Sequence, residues 1–176
     1  MRKFAMGLLS VLMVACFAGV VVAQGNPRGT STLTLKGKTI SVDYGRPSLK
    51  GRTTDELLGM LKPGALWRLG ADSSTTFKTD IDLVFSGVTI PAGEYSIWMQ
   101  RQGDNSWKLL FDKQHGQWGE PAPEASDCFA SVPLKESKPA KSVEMVTLTL
   151  SKAGSSGGTL LIQWGTLEAA ASFKAK

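Results

Sequence analysis

Cysteine and histidine are nearly missing from this 176-residue chain, which has two cysteines and one histidine. Cys16 lies in the apolar amino-terminal run "FAMGLLSVLMVACFAGVVVA", so beyond that run Cys128 stands alone. No internal disulfide framework can be built from it. A catalytic zinc site takes three protein ligands, typically histidine-rich, and His115 with Cys128 does not supply them. No metal site is expected. The phosphate-cradling glycine patterns of nucleotide sites are absent in their strand–turn–helix context, so no cofactor is expected either. A basic stripe with interleaved aromatics is also lacking. The formal net charge is +5, but acids are mixed in throughout, as in "TTDEL", "KTDIDL" and "GEPAPEASD", which argues against a nucleic-acid partner.

The chain does have a leader. Arg2 and Lys3 precede the apolar run, and Val21-Val22-Ala23 ends it with a small residue at the expected cleavage position, the pattern of a secretory signal. Cleavage is predicted after Ala23, which places the mature chain in the periplasm or outside the cell with no stable membrane span. Lipidation at Cys16 in "MVAC" is the weaker alternative, because the hydrophobic "FAGVVVA" behind it is a poor start for a mature lipoprotein. A mature chain of this length can bury one core and shows no repeat and no long linker. The expected organisation is a signal peptide at 1–23, an amino-terminal segment with the first strand at 24–37, one β-rich domain at 38–165 and a tail at 166–176.

Alternation at period two dominates this domain. "STLTL", "KTISVDY", "STTFKT", "IDLVFSG", "EYSIWMQ", "WKLLFD", "CFASVPL", "SVEMVTLTL" and "TLLIQWG" read as strands, separated by the turn chemistry of "RQGDNS", "IPAGE" and "KAGSSGG". Lys36-Gly37 marks a hairpin, and Pro91-Ala92-Gly93-Glu94 reads as another, followed by a strand with Tyr95, Ile97 and Met99 on one face and Ser96 and Trp98 on the other. The fold predicted is all-β, an antiparallel sandwich or barrel-like structure with one short helix near residues 54–62. Thr53 and Glu56 have capping-box spacing, and Lys62-Pro63-Gly64 ends the helical pattern. The tail "TLEAAASFKAK" contains helix formers but is too short to hold a helix alone, and is expected to fray.

Four ordered blocks carry a resemblance. They are Arg46-Pro47 with Lys50-Gly51-Arg52, then Trp67-Arg68-Leu69-Gly70-Ala71, then Pro91-Ala92-Gly93-Glu94-Tyr95-Ser96, then Trp118-Gly119. Over about residues 38–165 the chain resembles the bacterial family catalogued as domain of unknown function 2911. It departs from many members after Ala71, where it has Asp72-Ser73-Ser74-Thr75 in place of an Asn-led stretch. The resemblance implies an exported β-rich domain with no established ligand or reaction.

The candidate site residues therefore come from the residues themselves. Arg46, Lys50, Arg52 and Arg68 concentrate positive charge around Trp67, and guanidinium groups can converge on a carboxylate, a phosphate or an anionic sugar. The structural alternative has Arg68 pairing with Asp72, Asp55 or Glu56 to fix its loop. The long Gly- and Pro-rich segment "DKQHGQWGEPAPEASD" offers His115 and Trp118 as a sugar-stacking or acid–base lip, or else Trp118 pins the loop to the core. Cys128 reads as a small hydrophobe in a strand, with an intermolecular disulfide or a nucleophilic role as alternatives. Asp80 and Asp82 make a weak calcium case, and Gly154-Ser155-Ser156-Gly157-Gly158 matches a nucleophile elbow only as a string. Two function classes remain: a binding or scaffolding module for an anionic small molecule, a glycan or an envelope protein, and a small hydrolase or lyase using His115 or two of Asp43, Asp72, Asp112 and Glu120.

Overall fold

The computed structural model describes residues 25–104 and 106–176; the predicted signal peptide lies outside them. Two antiparallel sheets face each other. The first contains β1 (Arg28–Leu35), β2 (Lys38–Gly45), β3 (Leu66–Trp67), β4 (Thr76–Thr79), β7 (Gly93–Arg101), β8 (Trp107–Asp112) and β9 (Ala130–Pro133). The second contains β5 (Leu83–Phe85), β6 (Val88–Ile90), β10 (Lys135–Ser137), β11 (Val143–Ala153), β12 (Gly157–Gly165) and β13 (Leu167–Ala175). The first sheet runs β1-β2-β4-β7-β8-β9, with β3 beside the far half of β7; the second runs β11-β12-β13-β5-β6, with β10 on β13.

The alternation that marks these strands in the sequence also builds the core. Ile40, Val42, Phe77, Tyr95, Ile97, Met99 and Phe111 of the first sheet face Leu148, Leu160, Ile162, Ala171 and Phe173 of the second. Phe85 lies between the layers, 5.5 Å from Phe111 and 4.9 Å from Phe173 by ring centroids. Tilted and edge-on rings of this kind add specific contact energy to simple burial. Ser96 and Trp98 occupy the opposite face of β7 as predicted, yet both are buried. The residue 113–127 loop reaches this face, where Gln117 Nε2 and Trp98 Nε1 both donate to Ser96 Oγ.

One side of the sandwich is closed by a seam. After β2 the chain crosses to the other sheet, where Val146 N donates to Pro47 O at 3.0 Å and Leu49 N to Glu144 O at 2.9 Å. Tyr44 Oη reaches Leu148 O at 3.2 Å, and Leu150 N donates to Ser31 Oγ at 2.9 Å. A little farther on, helix α1 (Thr54–Leu58) covers the end of the barrel-like space. Its capping box is formed: Thr53 Oγ1 accepts from Glu56 N at 3.2 Å, while Glu56 Oε2 accepts from Thr53 N at 2.6 Å.

Three details differ from the sequence expectations. The helix stops at Leu58, short of residue 62, because Gly59 follows it and Arg101 Nη1 takes the Leu58 carbonyl at 2.9 Å. The Pro91–Glu94 segment is a corner between sheets, since β6 and β7 belong to different layers. Tyr95 Oη on Pro91 O and Ala92 N on Asp82 Oδ1 hold that corner at 2.9 Å each. The hairpin lies just before it, at Ser86-Gly87, where φ values of 44° and 87° suit a tight turn. The tail does not fray: β13 is an interior strand, bonded to β12 on one side and to β10 and β5 on the other. Helix propensity yields there to pairing, because Ala169, Ala171, Phe173 and Ala175 point into the core at every second position.

Among the described residues no helix is long and apolar enough to cross a membrane.

Candidate functional site

Trp67 and Trp164 stack across the sandwich, with ring centroids 5.5 Å apart and planes 12° from parallel. One comes from β3 and the other from β12, so this stack joins the sheets at the end covered by α1. Above it opens a cleft of about 400 Å³, within the range of small-molecule sites. Leu57, Leu58, Leu61 and the two tryptophans give it apolar walls, while Lys50, Arg52 and Arg68 place three cations around it against one carboxylate, Glu120.

Trp67 is 8% exposed, and Arg68, just past the end of β3, is part-buried with its side chain 26% exposed at the same cleft. Its ion-pair partner is Glu120, at 3.8 Å from Nη1, rather than Asp72, Asp55 or Glu56. The path is open only because residue 119 is glycine: a Cβ there would lie 2.5 Å from Arg68 Cδ and 2.9 Å from Asp72 O. The Trp118-Gly119 block and the Trp67-Arg68 block are thus one structural unit. Asp72 turns away to cap the amino-terminal segment, accepting from Asn26 N at 2.9 Å.

Lys50 and Arg52 form no ion pair among the described residues. Arg52 Nε donates to Leu49 O at 2.9 Å, which fixes the stem of its side chain beside the cleft. Arg46 is placed differently: it does not line the cleft, and its guanidinium lies on the seam, donating to Val146 O at 3.2 Å and to Thr147 Oγ1 at 3.4 Å.

Two further features belong to the residues around the cleft. Among the described residues, Trp164 Nε1 is the buried side-chain donor without an acceptor, and such a group loses its hydration without compensation. Lys50, Leu69 and Asp72 have φ of 51°, 56° and 64°. For the fully buried Leu69 this is a strained backbone, kept in place by its burial and by Thr75 Oγ1 donating to its carbonyl at 3.2 Å. Trp164 was not singled out from the sequence. Its place in "TLLIQWG" reads only as a strand, and nothing local links it to Trp67.

A second hollow of about 370 Å³ lies on the far side of Glu120, which lines both. Trp118 borders it and is 60% exposed, so it does not pin the loop to the core. His115 lines neither hollow; its Nδ1 is 3.5 Å from Glu94 Oε1. The acids considered for hydrolysis take separate partners. Asp43 pairs with Arg28, Asp72 accepts from Asn26 N, Asp112 accepts from Gln114 N and Glu120 faces Arg68; the two acids weighed for calcium, Asp80 and Asp82, accept from the backbone at Thr39 and Ala92. Gly154–Ser156 forms the exposed tip of the β11–β12 hairpin.

Cys128 lies in the loop before β9 rather than in a strand, and is half-buried. Burial, followed by the charges of Asp112 and Asp127, pushes its thiol up to about 11. A thiol so raised is a poor nucleophile. Among the described residues no cluster of three or more His, Cys, Asp or Glu side chains could hold a metal ion.

No curated protein matches the chain, and no solved structure does. The family described as "Protein of unknown function (DUF2911)" matches residues 26–173, from the segment capped by Asp72 through β13, and the chain belongs to that family.

Proposed function

We propose that the protein is an exported binding module of the bacterial cell envelope, whose Trp67–Arg68 cleft takes an anionic small molecule or the acidic group of a glycan. The observation that carries this reading is the gathering of Lys50, Arg52 and Arg68 around the cleft above the Trp67–Trp164 stack. A carboxylate or phosphate would meet planar and point-charge donors at the rim and an apolar wall below. The left-handed backbone of Lys50 at the rim of the cleft adds support, since strained backbone concentrates at functional sites. The leader sequence supports the location in the periplasm or outside the cell.

The test is thermal unfolding of the protein in the presence of phosphate, glucuronate, galacturonate and neutral sugars. A ligand at a hundred times its Kd stabilises by about 2.7 kcal/mol. The expected result is an upward shift with the anions that vanishes in Arg68→Ala while that variant stays folded. No shift with any anion would sink the reading and turn attention to protein partners.

A further inference from the structure

We infer that the hollow beside Trp118 is a neutral-sugar subsite continuous with the cationic cleft, so that the ligand is an acidic oligosaccharide lying across Glu120. This rests on the reading of the cleft as an anion site. Trp118 is one of the few large apolar side chains left in water, at 60% exposure. It is not exposed for want of structure around it. Ser74 N donates to Gln117 O and Gly119 N to Asp72 O, each at 2.9 Å, and Trp118 itself bridges Ser73. The backbone on both sides of the indole is therefore tied to the same segment that carries Arg68. A solvent-facing aromatic on a fixed frame is a preformed platform, and costs little ordering when something stacks on it.

The surroundings select what stacks. The Gln114 side chain supplies amide donors and an acceptor and Glu120 a carboxylate, while Gln117 turns its amide inward to Ser74 and Ser96, and Pro121 and Pro123 supply a stiff wall. An apolar peptide would leave those polar groups unmatched. A pyranose matches them, with a C–H face for the indole and hydroxyls around its edge. The Glu120 carboxylate repels an acidic ring at this position, whereas Lys50, Arg52 and Arg68 favour one in the cleft. The order follows: an acidic residue in the cleft, and a neutral residue on Trp118. Glu120 is 64% exposed and 3.8 Å from Arg68, an ion pair loose enough to yield to a ligand carboxylate.

Calorimetric titration tests this with four probes: glucuronate, a hyaluronan tetrasaccharide in which uronate and neutral rings alternate, trigalacturonate with an acid on every ring, and neutral cellotetraose. The protein is the full-length chain, purified as the producing cell processes it. The tetrasaccharide is expected to bind at least tenfold tighter than glucuronate, with trigalacturonate no tighter than glucuronate and cellotetraose weakest. Trp118→Ala should remove the tenfold gain and leave glucuronate affinity unchanged, while Arg68→Ala weakens both acidic ligands at least tenfold. If glucuronate binds through Arg68 but the tetrasaccharide gains nothing, or its gain survives Trp118→Ala, the subsite is overturned and the anion cleft stands. Equal gains for tetrasaccharide and trigalacturonate would overturn the assignment of a neutral ring to Trp118. If no acidic probe binds, the cleft reading falls first and takes the subsite with it.

Discussion

Arg46 and Arg68 occur in the same cation-rich stretch, yet they sit in regions built on opposite terms. Along the seam, Arg46 donates to the backbone and side chain of β11, Pro47 and Leu49 bond to the facing strand, and Tyr44 reaches a carbonyl across the gap. At the cleft, among the described residues, Arg68 has a long contact to an exposed carboxylate, Lys50 forms no ion pair, and Arg52 bonds within its own loop, through Nε to Leu49 O. Matched polar groups are what a fold uses to fix its layers. Unmatched ones beside a cavity are what a ligand can complete. Positive charge in a sequence segment does not separate these roles; the partner on the other sheet does.

The sharpest break of the contrast is a substitution where the two regions touch. A Cβ on Gly45 would meet Ala71 O at 2.1 Å, too close for any side chain, so Gly45→Ala should lose about 3 kcal/mol as the two backbones part. Denaturant unfolding measures it. Arg46→Ala comes next, removing two hydrogen bonds and the contact of its stem, with a loss of about 2 kcal/mol in the same measurement. Arg68→Ala should lose less than about 1 kcal/mol, because its ion pair is long and its partner is mostly in solvent.

The smallest effect is set by pH at α1. The Thr53 backbone N–H, then its hydroxyl, hold the Glu56 carboxyl below its usual range, with Arg52 adding to the effect. A depressed carboxylate pKa adds stability above the unfolded value, near 4.5, and that stability is lost as pH falls through the folded one. Glu56→Gln keeps the capping geometry without the charge. Its unfolding midpoint should lie slightly below that of the parent at pH 6, and the gap should narrow as pH falls below 4.5. A gap that stays constant with pH would assign the effect to the helix cap alone.

Most of the architecture could be read from the chain because long strands carry their own alternation. β2, β7, β8 and β12 show it, and Thr53 with Glu56 announced the helix start. The short strands β3, β6 and β10 have too few residues to show a period, and exist because a neighbour offers bonds. In β13 the period-two pattern of Ala169, Ala171, Phe173 and Ala175 is present, but alanine's helix preference masks it until β12 is beside it. The site was half legible. Lys50, Arg52, Trp67 and Arg68 do meet at one cleft, whereas Arg46 belongs to the seam and His115 faces Glu94. The Glu120 partner of Arg68 and the Trp164 partner of Trp67 come from distant strands and loops, and only the closed fold brings them in.

The most direct test of the account is to titrate glucuronate into Arg46→Ala and Arg68→Ala side by side and record each variant's unfolding midpoint. The account predicts opposite losses. Arg46→Ala should unfold earlier and bind as the parent does, while Arg68→Ala should unfold with the parent and bind at least tenfold more weakly, about 1.4 kcal/mol. Should Arg68→Ala lower the midpoint as Arg46→Ala does, with glucuronate bound by neither the variants nor the parent, the cleft cations are part of the architecture and the division between seam and site is wrong.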